Sequence, residues 1–269
     1  MSDTRVMLLR TAGTNCDREL GYAFTKVGAR AEAVHINAVL ANPGRLEEFQ
    51  VLAFPGGFSY GDDIASGKIL ANQIIHHLKE PLRKFIDEGK LVLGVCNGFQ
   101  VLVKSGLLPG PTEGIAAEDW HPTTLTYNTG GRFEDRWIKV KCVSKKCAWL
   151  PEGDGITLDL PIAHGEGRFV TRDAGVMEAL QANDQIALRY VDENGEVAAE
   201  YPALPNGSME AVAGICDATG RVLGLMPHPE RIVERENHPL FTRGGGRADG
   251  LIVFEAAMKY LQAQRVVMV

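Results

Sequence analysis

The chain has 269 residues, 45% of them hydrophobic and 23% charged, the make-up of a globular protein with a sizeable core. Its net charge is −6 and no run of Lys or Arg exceeds two, which argues against a nucleic-acid or anionic-membrane surface. With no run of 18 apolar residues and no basic start leading into an apolar stretch, a cytoplasmic chain without membrane contact is expected.

Arg5-Val6-Met7-Leu8-Leu9-Arg10 reads as a first strand, followed by the turn Thr11 to Asn15. Asn15 is the expected cap of a helix that presents Leu20, Ala23, Phe24 and Val27, with Gly28 as its stop. Ala31 to Ile36 and Val51 to Phe54 read as the second and third strands. This alternation predicts an α/β chain: an open, mostly parallel sheet flanked by helices, with ligands beyond the carboxyl ends of its strands. A single domain over 1–269 is expected.

Pro55-Gly56-Gly57-Phe58-Ser59-Tyr60-Gly61-Asp62 follows the third strand, and its paired glycines suit either an oxyanion donor or a plain turn. Gly61 to Ile69 imitates a phosphate loop, but has one residue too many and Ile69 where a hydroxyl belongs. A helix over Ile64 to Leu78, with surface or partner-facing His76 and His77, and an amphipathic run from Leu82 to Ile86 lead into the fourth strand.

That strand, Leu91-Val92-Leu93-Gly94-Val95, runs into Cys96-Asn97-Gly98-Phe99-Gln100, where a helical pattern starts. Gly94-x-Cys96-x-Gly98 has the spacing of a nucleophile elbow, in which flanking glycines permit a turn tight enough to expose one side chain. Unpaired N–H groups at a helix start favour a thiolate, and the N–H of Asn97 is placed to meet a developing oxyanion. A buried, inert cysteine is the plainer alternative.

Residues 106–150 change texture and predict alternating antiparallel strands, such as Trp137 to Val143. The strand Ile156 to Ala163 ends at His164-Gly165-Glu166, which suits either a rim pair or part of a pocket. Ile186 to Val191 with the turn Asp192-Glu193-Asn194-Gly195 signals a hairpin, as do Ala211 to Cys216 and Val222 to Met226. The second pair ends in Pro227-His228-Pro229-Glu230, where flanking prolines hold His228 stiffly and Glu230 is within reach of its ring. Gly244-Gly245-Gly246 predicts a flexible loop before a closing helix from Gly250 to Gln262. Of the five cysteines, Cys142 and Cys216 read as core filler, and Cys147, beside Lys145-Lys146, as adventitiously reactive at most. No CxxC pair points to a metal.

A cysteine elbow, a Gly-Gly turn and a rigid His-Pro-Glu supply nucleophile, oxyanion donors, base and orienter. In these motifs, together with Leu188-Arg189-Tyr190 and Pro205-Asn206-Gly207-Ser208, the chain resembles the class I, triad-type glutamine amidotransferases. Gly-Gly-Phe-Ser-Tyr-Gly-Asp and Pro-Asn-Gly-Ser are similar to one branch of that family, the glutaminase subunits of phosphoribosylformylglycinamidine synthases of purine biosynthesis. The resemblance implies a flavodoxin-like fold and a triad of Cys96, His228 and Glu230. It implies an oxyanion hole from Gly57 and Asn97 and a glutamine pocket including Gly56, Gln100, Asn206 and Ser208. It further implies ammonia delivery to a separate synthetase subunit, with an optional small adaptor. No cofactor or metal is expected on this chain, with ATP and Mg on the partner, and His164 and Glu166 are expected to affect coupling to it. The alternatives are an amidotransferase of another pathway and a non-catalytic flavodoxin-like redox or chaperone relative, in which His228 and Glu230 would have no task.

Overall fold

The computed structural model describes residues 4–116, 121–151 and 155–267. In chain order the elements are β1 (Arg5–Arg10), α1 (Asp17–Lys26), β2 (Arg30–His35), α2 (Ile36–Ala41), β3 (Val51–Phe54), α3 (Lys68–Gln73), α4 (Lys79–Asp87), β4 (Leu91–Val95) and α5 (Asn97–Lys104). There follow β5 (Thr123–Thr126), β6 (Glu134–Cys142), β7 (Thr157–His164), β8 (Arg168–Thr171), α6 (Ala174–Ala182), β9 (Ile186–Val191), β10 (Val212–Cys216), β11 (Val222–Leu225) and α7 (Leu251–Val267).

Nine strands form one sheet in the order β2-β1-β3-β4-β11-β10-β9-β6-β7. The pairings from β2 through β11 are parallel, and those from β11 to β7 are antiparallel. β5 and β8 make a separate antiparallel pair. β3 and β4 are buried along their whole length, as a strand covered on both faces requires, and so read in sequence as unbroken apolar runs. β7 buries alternate residues, the signature of a sheet with one wet face. Parallel order 2-1-3-4 places the topological switch between β1 and β3, which is where α/β sheets hold their ligands.

One local expectation is corrected. The helix expected from Ile64 starts instead at Lys68, because Tyr60, Gly61, Asp62 and Gly67 all take positive φ and keep residues 59–67 in turns. A π-helical turn over Ile74–Leu78 then separates α3 from α4, with His76 and His77 exposed on it. The turn after β9 closes a short hairpin: Asp192 N–H donates to the Glu196 carbonyl at 2.8 Å, Ala198 N–H donates to the Tyr190 carbonyl at 3.0 Å, and Val197 bridges Val191 in antiparallel register. The hairpin of β10 and β11 also forms. Residues 238–246 fold into short turns, and Gly246 packs so closely on His238 that a methyl group there would lie 2.5 Å from its Cβ. Among the described residues, no helix is long and apolar enough to cross a membrane.

The close approach of α5 to the sheet is set by two glycines. A Cβ on Gly94 would lie 2.7 Å from the Gly98 carbonyl carbon and 2.6 Å from Leu102 Cδ1, and one on Gly98 would drive into the carbonyl of Phe54. Gly98→Ala is therefore expected to lower stability by about 3 kcal/mol, measured as a lower urea midpoint at unchanged m-value.

Candidate active site

Cys96 joins β4 to α5 with φ 51° and ψ −104°, a left-handed conformation that costs a non-glycine residue on the order of 1–3 kcal/mol. Surrounding bonds enforce it: Cys96 N–H donates to the Leu225 carbonyl of β11 at 2.8 Å, and Gln100 N–H to the Cys96 carbonyl at 3.1 Å. The thiol points toward the end of β7, 3.6 Å from the Ala163 carbonyl. It lines a cavity of about 190 Å³ together with Gly57, Asp62, Gln100, His164 and Glu166. The exposed rings of Phe58, Tyr127 and Phe133 border this cavity.

His228 follows β11, fixed by its N–H donating to the Pro161 carbonyl at 2.9 Å. Its side chain is 2% exposed, and Nδ1 lies 2.7 Å from Glu230 Oε1, itself fully buried. Burial works to lower the His228 pKa, yet the Glu230 carboxylate and the nearby Cys96 and Cys16 thiols outweigh it, and the pKa lies well above the ordinary histidine value. Nε2 makes no full hydrogen bond within the chain and is left for an incoming partner. Gly250 buttresses the turn from beneath: a side chain there would strike the Pro229 carbonyl, and Gly250 N–H donates to Ile232 at 3.0 Å. The structure thus brings Cys96 together with His228 and Glu230 from two distant segments.

Gly57 lies at the cavity wall with φ 138°, where an added Cβ would sit 2.6 Å from the Gly13 carbonyl oxygen. Asn97 opens α5, where backbone N–H groups lack intrahelical acceptors. Its buried side chain ties the elbow to the Gly-Gly-Phe-Ser turn: Oδ1 accepts from Ser59 N–H at 3.1 Å, and Nδ2 donates to Asp62 and Gln100, each at 3.0 Å. Gln100 Nε2 donates in turn to the Glu166 carbonyl at 2.7 Å. Lys104 stands 3.8 Å from the Glu166 carboxylate and donates to the Ser66 carbonyl at 2.6 Å. Burial raises the pKa of Asp62 and lowers that of Lys104.

Asn206 and Ser208 are not brought to the cavity. Asn206 Nδ2 donates to the Gly167 carbonyl at 2.8 Å and to Tyr190 at 3.1 Å, and Ser208 Oγ accepts from Phe169 N–H at 2.9 Å. Both side chains brace the 165–169 turn, so they shape the pocket from behind rather than line it. Gly56 also lacks a place at the cavity wall; it gives room to the His228 ring, whose Cε1 would be 2.9 Å from a Cβ there. Asn15 does not cap α1, whose N-cap is Cys16, because Asn15 Oδ1 faces the Cys16 thiol at 3.2 Å. Sequence reasoning missed Cys16 and Asp62 as neighbours of the site. The position of Cys16 just past the carboxyl end of β1 was the available signal. Cys147 is buried with its thiol pKa pushed well up, and burial raises that of Cys142 to about 12, so neither is a reactive thiol.

His164 lines the cavity while 2% exposed, with Nδ1 3.1 Å from Asn128 Oδ1. Burial, with a smaller contribution from His228, lowers its pKa from 6.5 to about 3. A histidine depressed in the folded state takes up its proton more readily when unfolded, so the stability it contributes is full above pH 6.5 and declines as pH falls toward 3. His164→Gln is expected to flatten that acid limb: its Tm relative to the parent rises as pH drops from 6.5 toward 4, followed by circular dichroism.

Residues 3–261 match the CobB/CobQ-like glutamine amidotransferase domain. The chain is 44% identical to phosphoribosylformylglycinamidine synthase subunit PurQ of Dehalococcoides mccartyi, over 97% of this chain and 98% of that protein. It is 40% identical to the PurQ subunit of Archaeoglobus fulgidus, again over 97% and 98% of the two. The solved structure of PurLQS from Thermotoga maritima contains a chain that superposes with a TM-score of 0.73 at 30% identity, covering 97% of this chain and all of that one. The chain belongs to the CobB/CobQ-like glutamine amidotransferases, within the branch formed by the PurQ subunits of phosphoribosylformylglycinamidine synthase.

Proposed function

We propose that the chain is the glutaminase subunit of a phosphoribosylformylglycinamidine synthase, cleaving glutamine to glutamate and ammonia for a synthetase subunit that makes formylglycinamidine ribonucleotide. The observation that carries this reading is the meeting of a thiol on a strained strand-to-helix elbow, a buried His–Glu pair and a cavity lined by Cys96 and Gly57. Membership in the PurQ branch supports the pathway, and the relation to the PurLQS assembly supports the partner.

In the proposed reaction Cys96 Sγ attacks the side-chain amide carbon of glutamine, and the amide oxygen takes up negative charge before N–H groups of Gly57 and Asn97. His228 passes a proton to the amide nitrogen, the C–N bond breaks, and ammonia leaves a thioester on Cys96. A water then attacks the thioester carbon while His228 removes its proton; the C–S bond breaks, glutamate departs and the thiol is restored. Glu230 holds His228 by Nδ1, so that Nε2 faces the reaction. In this reading ATP and Mg act on the synthetase subunit, in keeping with Ile69 standing where a phosphate loop has its hydroxyl. The exposed rings of Phe58, Tyr127 and Phe133 at the cavity suit contact with a partner surface.

Cys96→Ala is expected to reduce glutamine hydrolysis by at least about 10⁴-fold in the complex, while synthesis from free ammonium persists. Retained glutamine turnover in that variant would exclude the thioester route. A glutamine-derived chloroketone is expected to label Cys96 alone of the five cysteines, read by mass spectrometry of the digested chain.

A further inference from the structure

Cys16 is a second thiol at the catalytic histidine. The turn after β1 folds back on the Gly-Gly corner, with the N–H groups of Asn15 and Cys16 both directed at the Gly56 carbonyl, at 3.3 and 3.2 Å. This buries Cys16 to 1% exposure at the base of the His228 ring. A Cβ placed on Gly56 would lie 2.9 Å from His228 Cε1 and 3.1 Å from Cys16 Sγ, so ring edge and sulfur share one small space that glycine alone leaves open. The sulfur, a ring nitrogen of His228 and a carboxylate oxygen of Glu230 all lie within 4.8 Å of one another.

The polarity of this contact is set by its neighbours. The Cys16 thiol donates to Asn15 Oδ1 at 3.2 Å, and Arg231 Nη2 donates to the sulfur at 3.2 Å. With its proton directed at Asn15, the sulfur turns lone pairs toward the ring. Burial raises the Cys16 pKa, keeping the proton in place. Cys16 is not a rival nucleophile, for it lines no part of the substrate cavity. A metal ion is disfavoured at the Cys16–His228–Glu230 cluster by the guanidinium already at the sulfur.

We infer that Cys16 is a positioning residue for the glutaminase reaction: its thiol, oriented by Asn15 and Arg231, holds the Cε1 edge of His228 while Glu230 holds Nδ1. The inference rests on the glutaminase reading. Groups facing His228 are Glu230, Cys96, Cys16 and His164, with Arg231 behind Cys16. Among them Cys16 favours the imidazolium that gives its proton to departing ammonia, so its removal shifts the loss of activity at high pH to a lower pH.

The test is glutamine hydrolysis by the chain in complex with its synthetase, measured across pH. Cys16→Ala is expected to lower kcat about tenfold at unchanged KM and to move the basic limb of the profile to lower pH, and Cys16→Ser to restore both, because a hydroxyl can donate to Asn15 and accept at the ring. Asn15→Ala, which leaves the sulfur in place but frees its proton, should move the limb in the same direction; it carries the test if Cys16→Ala does not fold. An unmoved limb in the folded variants, or equal losses for Cys16→Ala and Cys16→Ser, would reduce Cys16 to packing and overturn the inference. A parent complex that does not hydrolyse glutamine overturns the glutaminase reading and this one with it, whereas an active parent with an unmoved limb in the variants overturns this one alone.

Discussion

Everything at the site depends on how near the first turn of α5 comes to the sheet. Cys96 holds a strained backbone because its carbonyl and N–H are pinned by Gln100 and by β11, and because Gly94 and Gly98 have no side chain to hold the helix off. The strain of a positive φ is small beside the packing that imposes it: Phe54, Leu93, Phe99 and Leu102 are all essentially inaccessible around the corner. A nucleophile kept on such a corner has one direction to point, and that direction is the cavity.

The remaining parts are loops that leave the ends of neighbouring strands. Those after β1, β3 and β4 come from the parallel half of the sheet, whereas His164 and Glu166 enter from the antiparallel half and His228 from the strand where the two halves meet. The Asn97 side chain fastens the β3 loop to the elbow, and Gln100 fastens the elbow to the β7 turn. Two buried histidines therefore sit in one site with opposite character: His228, beside a carboxylate, is held in favour of its charged form, and His164 is kept neutral by its burial and, to a smaller degree, by the neighbouring His228.

Much of this was legible from residue order alone. The apolar runs of β3 and β4, the Gly-x-Cys-x-Gly spacing and the proline-flanked histidine each have a local physical cause, and each appears in the structure at a strand end. What was not legible required knowledge of partners far off in sequence. Asn206 and Ser208 look like pocket residues because polar side chains beside a glycine are free to bind ligand; only the fold reveals that Gly167, Tyr190 and Phe169 already occupy them. Cys16 was lost among five irregularly spaced cysteines, since nothing near it in sequence indicates that His228 and Arg231 lie against it.

Gly250, lodged under the Pro229 carbonyl, has a consequence for how the molecule is made. The chain emerges during synthesis with its thiol corner long before its imidazole, and the imidazole turn finds its support only when the start of α7 has followed. A truncated or half-synthesised chain therefore lacks the wedge that keeps ring and carboxylate aligned.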